Sequence, residues 1–440
     1  MPTIDPELPA PLGDNFLEGD PEAPSLPDLS TIDVNSLPLN GGDVITSELS
    51  IAAANDFVFF RNQEVIMGGG NTSDVGEPSA HSDRNVIMQT GNWYTAVSTD
   101  NGINWGYLDP SVDTPEWPSV NGGFCCDQVV LTKADSDHSL ICWLVQFSPD
   151  AASNTIRIAV AEGKNDLDRP DPQFCLYDFS ASSFGVGGDT ELDFNKIAYS
   201  NDWLYISSNL FDISSGNADG AVLWRMELDD FAGCGSVTTQ AMVDEEHQSF
   251  ALTLGAGSTM FFGSHHGGQH DELRIFRISD SSSTVNWNTR DISTFPSSGR
   301  GQSVCTAPDG NDPCQRFDSR IVGAWTGAGR IGFMWTAAAG GDYPFPHVRV
   351  AVFDSGDRDL ISEPHIWNDN YAWVYPAVGV NNRGDVAGTV YRIGGGQHPR
   401  AYASIWDDIS GGPTPWEVHG IRYSNDSPND DEWGDYGRTL

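Results

Sequence analysis

Glu77, Asp127, Asp193 and Asp318 each stand at the head of a short strand-like segment, and His265, His266, Trp335, Tyr391 and Arg392 each lie near the end of the segment that follows such a head. Brought together, with Tyr375 at a further head, they place four carboxylates among two imidazoles, two phenols and a guanidinium. Three chemistries suit such a set. Paired carboxylates in a partly desolvated site separate their pKa values and act as acid and base in glycoside cleavage. A Tyr and a His, with an Arg neutralising a uronate carboxylate, abstract the α proton in a polysaccharide lyase. Oxygen-rich groups also hold Ca²⁺, the one cofactor this set would suit. The residues assigned to bond cleavage are Asp127, Asp193, Asp318, His265 and Tyr391. Glu77, Trp335, His266, Tyr375 and Arg392 are assigned to substrate binding. The plainer roles are an Asp that caps backbone amides of a neighbouring strand and, for His265-His266-Gly-Gly-Gln-His270, a polar loop.

A weak internal repeat positions these residues. Each unit has an inner strand opening on a polar residue, a second strand, a third strand ending in an acidic residue, and a fourth, often aromatic, strand. DQVVLTKADSDHSLICWLVQF, TIRIAVAEG and QFCLYDFS form one such unit. The acidic ends fall at Asp100, Glu162, Asp229, Asp280, Asp354 and Asp407, about 60 residues apart, as four-stranded propeller blades require. The expected fold is all-β, a six-bladed β-propeller over residues 44–440. Seven blades are the alternative if residues 44–68 open a blade of their own. Residues 1–43 are Pro- and acid-rich and read as an extended N-terminal arm or linker. In a propeller the inner-strand heads and second-strand ends surround one mouth of the central channel, which is where ligands gather.

The most regular stretch is WYTAVSTDNGINWGYL, Trp93 to Leu108, a strand, a tight turn and a second strand. Asp100 and Asn101 suit the turn backbone, Gly102 supplies positive φ, and Trp105 packs beneath. S-x-D-x-G-x-x-W resembles the Asp-box of the sialidase-like (BNR) β-propellers, and Trp433-Gly434-Asp435-Tyr436 is similar to an element of some of them. The resemblance implies a propeller whose Asp-boxes lie away from the active site. That family binds a substrate carboxylate with three arginines. Phe60-Arg61 resembles the start of its F/Y-R-x-P motif, which makes Arg61, Arg320 and Arg392 the candidate arginines for substrate binding. The chain departs from the motif at Asn62-Gln63, so the family's nucleophile pair and acid/base Asp are not carried over.

Composition narrows the partners. Of 440 residues, 62 are acidic and 22 basic, for a formal net charge of −40, and lysine occurs only at positions 133, 164 and 196. Such a surface repels nucleic acid and anionic membrane. No apolar run approaches the roughly 20 residues of a membrane span. With 7 Cys and 47 Gly, the chain suits an oxidising compartment and a turn-rich fold. Cys305 and Cys314 bracket a loop suited to a local disulfide. Adjacent Cys125 and Cys126 either join each other or pair elsewhere. Asn71 and Asn425 head N-x-S/T sites. The N-terminus has neither a basic nor an apolar region. These features point to an extracellular or periplasmic protein whose leader has been removed, with a reduced cytosolic protein as the alternative. Asp309-Gly-Asn-Asp312 reads as a solvated turn, shorter than an EF-hand loop.

The sequence therefore points to a carbohydrate-active enzyme, hydrolase or lyase, acting on an extracellular polysaccharide or glycoconjugate at the channel mouth. A non-catalytic glycan- or protein-binding propeller of the cell surface or extracellular matrix is the alternative, because fold does not fix function.

Overall fold

The computed structural model describes residues 49–50, 76–83, 86–110, 116–135, 138–167, 172–266, 270–299, 305–381, 383–406, 416–428, 433 and 438–439. Arg61, Asn71, Asp407 and the arm 1–43 lie outside them. The described strands form six sheets, each built on four antiparallel strands, the six expected blades of a β-propeller. Blade 1 is Ser79–Asp83, Val86–Thr90, Thr95–Ser98 and Gly106–Leu108. Blade 2 is Phe124–Ala134, Ser139–Phe147, Ile156–Ala161 and Cys175–Phe179. Blade 3 is Thr190–Tyr199, Trp203–Asp212, Ala218–Glu227 and Thr239–Asp244. Blade 4 is Ala251–Leu252, Thr259–His266, Glu272–Ser279 and Asn286–Asp291. Blade 5 is Ile321–Gly327, Arg330–Ala337, His347–Asp354 and Leu360–Ser362. Blade 6 is Ala372–Val380, Val386–Gly394, Gln397–Trp406 and Trp416–Tyr423.

Burial follows position within a blade. The third strand of blade 2, IRIAVA, is buried at every residue because a neighbouring blade covers each face. The outer strand of blade 5, LIS, is exposed throughout. Middle strands therefore read as continuous apolar runs, the pattern of sheets covered on both faces. Trp143, Trp224, Trp325, Trp335, Trp373 and Trp416 are all fully buried. The last four belong to blades 5 and 6 and serve as packing there. Polar rivets join neighbours. Val130 N–H donates to Ser79 Oγ (3.1 Å) and Lys133 Nζ to Ser200 O (3.2 Å). Arg225 Nη2 donates to Ser282 O (2.6 Å), and Arg290 Nε to Arg358 O (2.8 Å).

The Ser98–Trp105 turn forms as read. Asp100 Oδ1 accepts the Ile103 and Asn104 amides at 3.1 and 2.8 Å, Gly102 sits at φ 74°, and Trp105 Nε1 donates to Gly102 O at 3.2 Å. The Asn104 amide leads the hydrogen bonds that hold Asp100 down at about 2. Three disulfides form: Cys305–Cys314 as expected, the vicinal Cys125–Cys126, and Cys175–Cys234, which ties blade 2 to the turn after the third strand of blade 3. Cys142 is the buried free thiol, its pKa pushed up to about 12 by desolvation.

Two short segments complete the ring. Leu49–Ser50 pairs in parallel with Trp416–Glu417, adding a fifth strand to the outer edge of blade 6 rather than opening a seventh blade. Arg438–Thr439 pairs in parallel with Ser79–Ala80, on the channel side of blade 1. Just before it, Trp433 stacks on Tyr375 (ring centroids 5.6 Å) and meets Tyr391 edge-on (5.1 Å). Trp433 thereby closes the seam between the last blade and the first. Trp433→Ala is expected to lower unfolding free energy by about 2–4 kcal/mol, read from the denaturant midpoint. An unchanged midpoint would mean the tail does not close the ring.

Candidate functional site

The inner strands enter the channel through an unusual backbone conformation. Glu77 (φ 59°), Asp127 (48°), Phe194 (54°), Ser249 (56°) and Tyr375 (54°) all take left-handed backbone, at matching positions in five blades. None is glycine, so each costs on the order of 1–2 kcal/mol. The ladders shift register beside them, between Cys126 and Val129, between Asp193 and Lys196, and between Val374 and Ala377. The kink sets one residue per blade apart from the regular ladder; of the five only Asp127 is partly exposed, the other four being buried. It also corrects the sequence register in blade 3: Phe194, not Asp193, is the counterpart of Asp127, as Ser249 is in blade 4.

The structure separates the candidates into groups. Asp193 and Gln146 meet between blades 2 and 3, where Gln146 Nε2 donates to Asp193 Oδ1 at 3.3 Å. Gln146 pairs in the ladder with Cys126, the residue before Asp127, so Asp127 and Asp193 occupy neighbouring sectors of the mouth. Opposite them, Arg320 Nε lies 2.7 Å from Asp318 Oδ2, and the Arg320 amide donates to Asp318 Oδ1 at 2.9 Å. The Arg320 guanidinium also covers the Phe194 ring at 3.8 Å, with the Lys196 ammonium 3.7 Å from the same ring. Phe194 is thus the aromatic centre of the mouth, a role its apolar side chain did not advertise. Lys196, Leu252, Leu254, Val322 and Ala377 line a small channel cavity of ≈ 20 Å³.

Several candidates turn away from this group. Tyr375 is 1% exposed, stacked under Trp433, and donates its hydroxyl to Pro313 O at 2.8 Å. Tyr391 packs against Trp433 too, and burial raises its phenol pKa. Local sequence points both toward an open mouth, but Trp433, distant in the chain, covers them. Trp335 is fully buried between blades 4 and 5. Arg392 is 2% exposed, lies over Tyr371 and Tyr402, and donates to Gln397 Oε1 at 2.9 Å inside blade 6. Glu77 is buried beside the Trp433 backbone. His265 donates its Nε2–H to Ser319 O at 2.9 Å and packs against Phe295 and Trp335. Desolvation leads the effects that depress its pKa to about 3, so the ring is neutral. The Asp309 and Asp312 oxygens accept the amides of Asn311, Ser427, Cys305 and Cys314, which folds the loop on itself. Cys305, Asp312 and Cys314 cluster, but their sulfurs are joined and offer no thiolate to a metal.

His266 belongs to a chain that sequence reasoning missed. Arg274 Nη2 donates to His266 Nε2 at 2.8 Å, so the His266 proton lies on Nδ1. That proton points at His247 Nε2, 3.1 Å away, which places the His247 proton on Nδ1, 3.1 Å from both Asp244 oxygens. Burial first, then Arg274, lowers the His266 pKa. The hydrogen bonds run in one direction from Arg274 through His266 and His247 to Asp244, and the spacing of these four residues gave no local signal.

No protein-family model and no curated protein matches the chain. Solved structures with a similar fold include the α-L-arabinofuranosidase Arb93A from Fusarium graminearum in complex with an iminosugar inhibitor. It is 9% identical, over 81% of this chain and 82% of that one, with a TM-score of 0.37. The α-L-arabinanase of Cellvibrio cellulosa complexed with arabinohexaose is 11% identical over 79% of this chain and 96% of that one, TM-score 0.32. Prolyl oligopeptidase B from Galerina marginata is 9% identical over 80% of this chain and 50% of that one, TM-score 0.36.

Two further histidines between the outer parts of blades 5 and 6 set a pH dependence. His365 Nδ1 accepts the Val350 amide at 3.1 Å, and His347 stacks on Tyr343 at 3.9 Å. Arg349, paired with Glu363, is the nearby cation. Desolvation leads the depression of their pKa values to about 3 for His347 and about 2 for His365. An unfolded histidine takes up its proton near 6.5. The unfolded state therefore binds more protons at lower pH, and this contribution is complete above about pH 6.5 and erodes as pH falls toward 3. Thermal midpoints should drop from pH 7 to pH 4, with a shallower slope in His347→Phe. Equal slopes would remove His347 from this account.

Proposed function

We propose that the chain is a glycoside hydrolase, exported to an oxidising compartment, that cleaves a neutral glycan at the mouth of its channel. The observation that carries the reading is the placement of Asp127 and Asp193 in neighbouring sectors of one mouth, with Asp318 across it. One carboxyl group would protonate the leaving oxygen while another attacks the anomeric carbon or activates water. Asp193, which already accepts a hydrogen bond from Gln146, suits the carboxylate role. Asp127 is then the acid.

Hydrolysis is favoured over elimination by what is buried. A lyase would need a Tyr and a His open to substrate, and Tyr391 lies under Trp433 while His265 Nε2 is bound to Ser319 O. The net charge of −40 further disfavours a polyuronate, which a lyase requires, and favours a neutral chain. Three disulfides support export. The binding-module reading is favoured by one observation, the Asp318–Arg320 ion pair, which ties that carboxylate to a guanidinium.

The test is incubation of the purified protein with neutral and acidic polysaccharides, with and without EDTA, reading reducing ends and unsaturated uronates together. Reducing ends from a neutral substrate are expected, with Asp127→Asn and Asp193→Asn each lowering kcat by roughly 100-fold or more. Unsaturated uronates would instead establish the lyase. Binding without cleavage would establish the binding module.

A further inference from the structure

We propose that Trp93 is a stacking platform for a sugar ring, forming a subsite beside Asp127. The inference rests on the glycan reading above and adds to it where the chain is held. Trp93 lies in the loop Gly91–Tyr94, between the second and third strands of blade 1, and is half-buried. Two sets of bonds pin that loop to the head of blade 2. The Asp127 amide donates to Asn92 Oδ1 at 3.1 Å. The fully buried Gln128 shares its Nε2 protons among Gly91 O (2.7 Å), Asn92 O (3.3 Å) and Tyr94 O (3.1 Å). Gln128 is itself fixed, since its Oε1 accepts from Thr95 Oγ1 (2.7 Å) and Trp143 Nε1 (2.8 Å).

Trp93 therefore follows directly on the residue bonded to Asp127, on a loop whose carbonyls on either side are tied down. Its ring meets Phe124 edge-to-face at 5.8 Å, and Phe124 is also partly exposed. Between Phe124 and Asp127 the vicinal disulfide closes the Cys125–Cys126 backbone into a ring. The result is an aromatic corner on a stiff base beside a carboxylate. A flat, polarisable face next to an acceptor is the chemistry that recognises a sugar, through its C–H face and a hydroxyl. The excess negative charge disfavours an anionic occupant, so the ring is that of a neutral sugar.

The experiment measures binding of neutral hexasaccharides (cello-, xylo-, manno- and arabinohexaose) to the full chain by calorimetry, with Asp193→Asn as background if cleavage intervenes. Trp93→Leu keeps apolar bulk and removes the π face, while Trp93→Phe keeps a smaller face. Circular dichroism and the thermal midpoint confirm that each variant is folded. For whichever hexasaccharide binds, Trp93→Leu is expected to weaken affinity by about tenfold or more and Trp93→Phe by no more than about threefold. Affinity of Trp93→Leu within about twofold of the unaltered chain overturns the platform and leaves the glycan reading intact. Binding of none of the four, with no cleavage of any polysaccharide in the screen, overturns both.

Discussion

Five of the six inner strands enter the channel through a non-glycine residue held in left-handed backbone. Much of the mouth depends on that constraint. A propeller must bring its innermost strands close enough to bury one another while leaving side chains over the opening. The kink and its adjoining register shift break the regular ladder at the head of the strand, and at Asp127 they leave the kinked residue partly exposed while the next, Gln128, is fully buried. Strain of this kind persists only where the surroundings over-determine it. The surroundings here are specific: Asn92 and Gln128 for Asp127, Lys196 and Arg320 for Phe194, Trp433 and Pro313 for Tyr375.

The same fold sorts charge. Lys133, Lys196, Arg157, Arg225, Arg349 and Arg392 are all buried. Arg157 makes a two-pronged contact with Asp178 and lies over Phe147 and Trp117; Arg225 lies over Trp203 and donates to backbone carbonyls of the next blade. Cations thus hold blades together from within. Much of the small basic complement is drawn inward, and the outer surface is more uniformly acidic than the composition alone conveys.

Much of the architecture was legible because a blade is a local object. The repeat of four strands, the acidic ends at Asp100, Glu162, Asp229, Asp280 and Asp354, the Ser98–Trp105 turn and the Cys305–Cys314 loop all depend on residues close in sequence. The mouth was less legible because it depends on residues far apart. A register shift no pattern announces moved the counterpart of Asp127 from Asp193 to Phe194. Trp433 covered Tyr375 and Tyr391 from the end of the chain. Cys175–Cys234 spans 59 residues, and nothing near either cysteine names its partner. Trp335 and Arg392, read as ligand groups, look alike in sequence whether they face a channel or a neighbouring blade.

The pairing of segments far apart in the chain bears on the order of folding. Leu49–Ser50 waits for Trp416–Glu417, and Ser79–Ala80 waits for Arg438–Thr439. Blades 2 to 5 contain their own partners and can assemble as synthesis proceeds, but the contacts that shut the circle join residues 49–50 and 79–80 to residues 416–417 and 438–439. A chain synthesised only as far as blade 5 would be an open arc with one bare sheet face at each end. Closure is then a late, long-range step in which the greatest loop entropy is lost at once. The arc remains vulnerable to self-association until that step is made, and its strong acidic charge is the repulsion that would keep neighbouring arcs apart.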